Sequence, residues 1–159
     1  MIPTKNDLPE TTRAAIVDLL NGELADAIHL SLQAKQAHWN VKGPHFRQLH
    51  ELFDQVYAAS AEWVDLLAER AVQLGGLADG TLAGVAHRTR LAPYESRLVR
   101  GRDHVDALST RLAAFGKTIR ASIDRATELG DADTADVLTE VSRGADKHLW
   151  FLEAHLQGD

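Results

Sequence analysis

Residues 44–76, PHFRQLHELFDQVYAASAEWVDLLAERAVQLGG, read as one long helix, and the way its side chains divide around that helix decides the architecture. On a wheel with His50 at zero, Phe46, Leu49, Phe53, Val56, Val64, Leu67, Ala71 and Leu74 fall between about −120° and −40°, a continuous apolar stripe for burial against other helices. Gly43 breaks the chain ahead of this segment, Pro44 suits an opening turn, and Gly75-Gly76 stops it. About 30 helical residues span roughly 45 Å, a length that favours a helical bundle.

The same signals recur on either side. A first helix is predicted from about Pro9 to Asn40 on Ile16, Leu19, Leu20, Leu24, Ala27 and Ile28, which follow the i, i+3, i+4 rule. Residues 77–97 hold Gly80, Gly84 and Pro93 and read as a crossover, with room for one short helix near Leu82 to Arg88. A further helix is predicted from about Gly101 to Leu129, ended by Gly130. A last one, capped by Asp131 or Asp133, runs to about Leu156. Two long helices, a crossover and two more long helices make an all-α, four-helix bundle of ferritin-like connectivity. No repeat or composition shift divides the chain, so residues 1–159 are expected to form a single domain, with 1–8 a short N-terminal tail.

Composition narrows the chemistry. The chain has 159 residues, 45% hydrophobic and 25% charged, and lacks cysteine, which removes thiolate metal sites, Fe–S clusters and thiol nucleophiles. Any catalysis must use His, carboxylates, hydroxyls or a bound metal. A formal net charge of −6 disfavours nucleic-acid binding unless a local basic patch or tail supplies it. No apolar run approaches the roughly 18 residues of a membrane span, and residues 1–10 do not resemble a signal peptide, so a cytoplasmic protein without membrane partners is expected.

The long helix carries a second stripe, between about 0° and 100°, of His50, Asp54, Ala58, Ala61, Asp65 and Glu69. His50 with Asp54, and Asp65 with Glu69, are i, i+4 pairs that project from one face. Within one chain the pairs cannot meet, because His50 and Asp65 are separated by a rise of roughly 22 Å, whereas metal ligands sit about 2 Å from their ion. An antiparallel copy related by a two-fold axis near residues 59 and 60 would place His50 and Asp54 of one subunit opposite Asp65 and Glu69 of the other. Ala58-Ala59-Ser60-Ala61 at the midpoint permits close approach. Acidic residues and an occasional His at this spacing also occur on plainly solvated helices, so spacing alone leaves both readings open. As a ligand set, His plus carboxylate without sulfur suits iron or another hard-to-intermediate divalent ion, with zinc as the competitor.

The segment Lys35-Gln36-Ala37-His38-Trp39-Asn40-Val41-Lys42-Gly43-Pro44, then Leu49 to Asp54, Asp65 to Gly76, Asp133 to Asp136 and Asp146 to Phe151, resembles the Dps family of mini-ferritins (DNA-binding proteins from starved cells). The resemblance implies iron ligands at His38, His50 and Asp54 from one chain and Asp65 and Glu69 from its two-fold mate. It also implies a homo-dodecamer built from two-fold dimers that oxidises Fe(II) with hydrogen peroxide or dioxygen, stores the ferric product and so protects DNA. Trp39 is implied to sit beside the site, where it either packs at the dimer interface or takes up oxidising equivalents. Asp131, Asp133 and Asp136, with Glu140, are candidates for an iron uptake path, and equally for N-terminal helix caps.

Two other readings stand beside the ferroxidase: a nucleoid-compacting DNA-binding protein with secondary iron chemistry, and a cage that binds zinc. DNA-binding relatives often carry a Lys- or Arg-rich terminal extension. Here Lys5 and Arg13 are balanced by Asp7 and Glu10, and the segment Leu156 to Asp159 is acidic. DNA binding is therefore expected to be weak, with nucleoid association left open. The basic concentration at Arg88, Arg90, Arg97, Arg100 and Arg102 is expected to form salt bridges at subunit contacts. His29 is expected to form a polar pair with Asp26, while His45, His87, His104, His148 and His155 receive no role.

Overall fold

The computed structural model describes residues 1–157. Five helices follow in order: α1 (Glu10–Asn40), α2 (Phe46–Gln73), the short α3 (Leu82–Arg88), α4 (Gly101–Glu128) and α5 (Ala132–Glu153). The order and the short crossover helix agree with the sequence pattern. The one shift in a start lies at α2, where Gly43 to His45 form a turn closed by Phe46 N–H donating to Gly43 O at 3.1 Å.

The core is built from the predicted stripes. Leu20, Leu24 and Leu30 of α1, Phe53 and Leu67 of α2, Leu108, Phe115 and Ile119 of α4 and Leu138 of α5 have no exposure above 1%. Each such side chain contributes roughly 1.5–3 kcal/mol relative to leaving it in water. Two members of the expected stripe lie elsewhere: Phe46, in the first turn of α2, is 46% exposed, and Val64 is only partly buried. In exchange the stripe widens on its other side to take in Leu52 and Trp63, and the Trp63 ring stacks on Phe115 with centroids 5.8 Å apart.

α1 pairs chiefly with α2 and α4 with α5. The Gly75-Gly76 turn lets the chain leave α2 tightly. Gly75 sits at φ +81°, and a Cβ on Gly76 would lie 2.4 Å from the Val17 side chain. At the other end of the α1–α2 hairpin, Lys42 N–H donates to Val99 O at 2.9 Å, tying the hairpin turn to the end of the crossover. α5 begins on Asp131, whose carboxylate accepts from Thr134 N–H at 3.0 Å, from the Thr134 hydroxyl at 2.6 Å and from Arg70 Nη2 at 2.8 Å.

The crossover is fastened to α1 through a buried polar cluster. Glu23 and Asp26 are fully buried, and Arg90 donates to both through Nη2 at 2.8 Å. Glu23 also accepts from Ser122 and Thr118 of α4, and Asp26 accepts from Thr89 Oγ1 and from Arg90 N–H. Three of the crossover arginines make bridges within the chain: Arg90 as above, Arg88 to Asp18 and Arg100 to Asp103. His29 reaches Asp26 only through Thr89, whose hydroxyl lies 3.0 Å from His29 Nδ1, and its other nitrogen meets Gln33.

Candidate metal centre

His38 ends α1 and His50 stands in the second turn of α2, so the tight turn between them folds one ring over the other. Their centroids are 3.6 Å apart with planes inclined by 22°. Each Nδ1 meets the other residue's backbone carbonyl, His38 to His50 O at 2.8 Å and His50 to His38 O at 2.9 Å. A carbonyl oxygen can only accept, so both Nδ1 atoms carry the proton. In the neutral imidazole, Nε2 is then the lone-pair nitrogen on each ring. A backbone carbonyl holding one ring nitrogen in its protonated tautomer is the usual support for a metal-binding histidine.

Asp54, one turn beyond His50, brings Oδ1 to 3.9 Å from His38 Nδ1 and is half exposed. Lys35, one turn before His38, pairs with the same oxygen, and its Nζ lies 4.4 Å over the Tyr57 ring. The hydrogen bond from Lys35 holds the Asp54 carboxyl below the usual carboxylate range. The carboxylate is therefore ionised, and its present counter-ion is an ammonium on a flexible stem, not a fixed guanidinium fork. Lys35 carried no role in the sequence reading. Its position three residues before His38 was the available signal.

Asp65 and Glu69 lie farther along α2, both exposed, and among the described residues neither makes a hydrogen bond or ion pair. The eleven residues from Asp54 to Asp65 correspond to a rise of roughly 16 Å. The structure therefore brings His38, His50 and Asp54 together and leaves Asp65 and Glu69 apart. Among the described residues of one chain no group of three or more His, Asp or Glu is arranged to hold a metal ion. Between the two half-sets, Ala58 and Ala61 are exposed, while Ser60 is buried and bonded to Val56 O. Trp39 beside His38 is 66% exposed.

Of the acidic residues at the start of α5, Asp131 is 2% exposed and committed to Arg70 and Thr134, so it serves as a cap and an anchor and not as an open carboxylate. Asp133, Asp136 and Glu140 are exposed.

Comparison with known proteins agrees with the fold and with the whole length of the chain. A ferritin-like domain matches residues 17–159. The sequence is 47% identical over 154 residues to the DNA protection during starvation protein of Agrobacterium fabrum, covering 97% of this chain and 95% of that one. It is 32% identical to the protein of the same name from Brevibacillus brevis, over 87% of this chain and 93% of the relative. Among solved structures, Dps from Microbacterium arborescens in its high iron form superposes with a TM-score of 0.90 at 34% identity, covering 98% and 100% of the two chains. Mycobacterium smegmatis Dps superposes with a TM-score of 0.93 at 28% identity, covering 98% and 95%. With a ferritin-like domain over nearly its full length and close relatives that are Dps proteins, the chain belongs to the Dps family of ferritin-like proteins.

Proposed function

We propose that the protein is an iron-oxidising and iron-storing mini-ferritin whose ferroxidase sites are shared between two-fold-related subunits. The observation that carries this reading is the half-site: His38 and His50, each with Nδ1 on a backbone carbonyl, beside an ionised Asp54, with Asp65 and Glu69 apart on the same helix and no complete metal-holding group among the described residues of one chain. A second copy running antiparallel along α2 supplies Asp65 and Glu69, and the exposed Ala58 and Ala61 between the half-sets permit the approach. The Microbacterium relative, whose structure is of a high iron form, supports iron as the substrate, and zinc is the competing ion.

Two ferrous ions at such a site give one electron each to hydrogen peroxide. The O–O bond breaks and two waters form with uptake of two protons; dioxygen is the alternative oxidant. The ferric product is stored inside a dodecamer, and DNA is protected because ferrous iron and peroxide are consumed together. That reading accords with the name of the Agrobacterium relative, a DNA protection protein. Direct DNA compaction has little to draw on, since Arg88, Arg90 and Arg100 are each paired with a carboxylate of the same chain. Among the described residues no helix is long and apolar enough to cross a membrane, and we place the shell in the cytoplasm.

The test is anaerobic ferrous loading of the purified protein followed by peroxide, with ferric absorbance and spin-trapped hydroxyl radical recorded and the assembly sized by light scattering. Fast oxidation with little radical, from a dodecamer, supports the proposal. Unchanged rates in both His50→Ala and Asp65→Asn would remove the site assignment.

A further inference from the structure

We propose that Tyr94 and His104 form a buried electron-donor pair serving the iron site, delivering the second electron to peroxide when only one ferrous ion is bound. This rests on the iron-oxidising reading above. Tyr94 lies on the crossover after α3 and His104 in the first turn of α4, and the Tyr94 hydroxyl meets His104 Nδ1 at 2.7 Å. His104 is 1% exposed, and the two rings lie nearly parallel at 15°. Burial pushes the Tyr94 phenol far above its usual range and lowers His104, so both groups are neutral, and in the tautomer with the His104 proton on Nε2 the phenol donates to Nδ1.

The pair sits at the same end of the bundle as the half-site. His104 packs on Phe53 with centroids 6.0 Å apart, and Phe53 is the residue before Asp54, facing the core while Asp54 faces outward. The Lys42 to Val99 hydrogen bond ties the His38–His50 turn to the residues just ahead of α4. The contacts run from Tyr94 to His104 and from His104 to Phe53, each with ring centroids 6.0 Å apart, and Phe53 adjoins Asp54 on α2, so the pair is joined to the half-site by packed side chains and one helix.

Peroxide needs two electrons to become two waters, and a single ferrous ion supplies one. Unmatched, that single transfer releases hydroxyl radical. With the pair in place, the phenolic O–H bond of Tyr94 breaks, its electron completes reduction of the peroxide and its proton moves along the hydrogen bond to His104 Nδ1. The products are one ferric ion, a neutral tyrosyl, an imidazolium and two waters, the latter drawing two protons from solvent. A later ferrous ion returns the electron, and His104 returns the proton.

The chain has one other tyrosine, Tyr57, which makes the comparison sharp. Tyr57 is nearer to Lys35 and Asp54, but the Lys35 ammonium over its ring opposes a positive hole. Among the described residues its hydroxyl has no acceptor to take the proton. Beside Tyr94, the Arg111 guanidinium lies 5.9 Å from the ring centroid, but its charge is offset by Glu95 at 3.1 Å.

The experiment loads the assembled protein anaerobically with one ferrous ion per site, adds peroxide, freezes within milliseconds and records electron paramagnetic resonance on normal and ring-deuterated tyrosine samples. A tyrosyl signal is expected in the wild type and in Tyr57→Phe and is lost in Tyr94→Phe, where spin-trapped hydroxyl radical rises while ferric yield persists. His104→Gln keeps a hydrogen-bond acceptor but not a base, and is expected to lose the signal too; a merely structural partner would leave it unchanged. A tyrosyl signal that survives in Tyr94→Phe, or its absence from a wild type that oxidises iron rapidly, overturns the pair. If the wild type oxidises no iron, the iron reading fails. The pair is then judged in iron-free protein with a flash-generated ruthenium(III) oxidant, where tyrosyl formation must depend on Tyr94 and slow in D2O, and equal formation in Tyr94→Phe overturns it.

Discussion

Two polar clusters, each with members on α1 and within a few turns of each other along it, behave oppositely. In the first, Glu23 and Asp26 are sealed from solvent, and their carboxylates are supplied by Arg90, Thr89, Thr118 and Ser122. In the second, His38 and His50 each leave Nε2 without a partner among the described residues, and the half-exposed Asp54 carboxylate is paired with Lys35. A polar cluster whose bonds are complete within one chain is a fastening, because burial of its charges is tolerable only when every one is paired. A cluster left open at the surface, with its tautomers already fixed, is arranged for something that arrives. Each cluster pairs carboxylate with a basic side chain; completeness separates them.

That contrast is broken most severely at Arg90. Arg90→Ala leaves two buried carboxylates unpaired and is expected to lower stability by about 3–5 kcal/mol, read from denaturant unfolding of the protein. Asp131→Ala removes a helix cap and leaves Arg70 without its buried partner, and about 2 kcal/mol is expected from the same measurement. The open cluster responds in the other sense. His50→Ala is expected to stay within about 0.5 kcal/mol of the wild type in stability while losing fast iron oxidation, and a large loss of stability there would mean that the histidines are a fastening as well. Smallest is the exposed pair of the crossover, where Arg88→Ala is expected to change stability by no more than about 0.5 kcal/mol.

Acid sharpens the same comparison. Burial lowers His29, His104 and His148, so each binds its proton less readily in the folded chain than in the unfolded one. Stability from these residues is complete above the unfolded value of about 6.5 and is lost as pH falls below it. Thermal unfolding temperatures measured across that range are expected to fall toward acid. His148→Phe, which replaces a ring packed against Trp63 and Phe151, is expected to flatten the slope.

Much of the fold was legible because helices announce themselves locally. Periodic leucines set α1, α2, α4 and α5; Gly43 and Gly130 marked the two hairpin turns, and Gly75 the end of α2. The errors are those a single-helix wheel makes. It treats the whole stripe as equally covered, whereas Phe46 stands in the first turn of α2 and is exposed, and Trp63 at the margin is buried because α4 and α5 reach it. The wheel found His50, Asp54, Asp65 and Glu69 as a set, and the Dps resemblance added His38. Lys35 and the pairing of Tyr94 with His104 went unnoticed, the first because a lysine on a helix is ordinary and the second because ten residues of crossover carry no periodicity.

The sequence by itself determined the helices, their order, and the fact that the two i, i+4 pairs of α2 are too far apart to share an ion within one chain. All of these follow from the rise and turn of a single helix. Only the tertiary structure decided which polar residues are closed and which are open. Arg90 and Asp131 read as candidates for contacts and uptake until their partners, more than sixty residues away in the chain, were seen to complete them. Hydrogen bonding between distant segments depends on how the helices are placed against one another, and no local pattern encodes that placement.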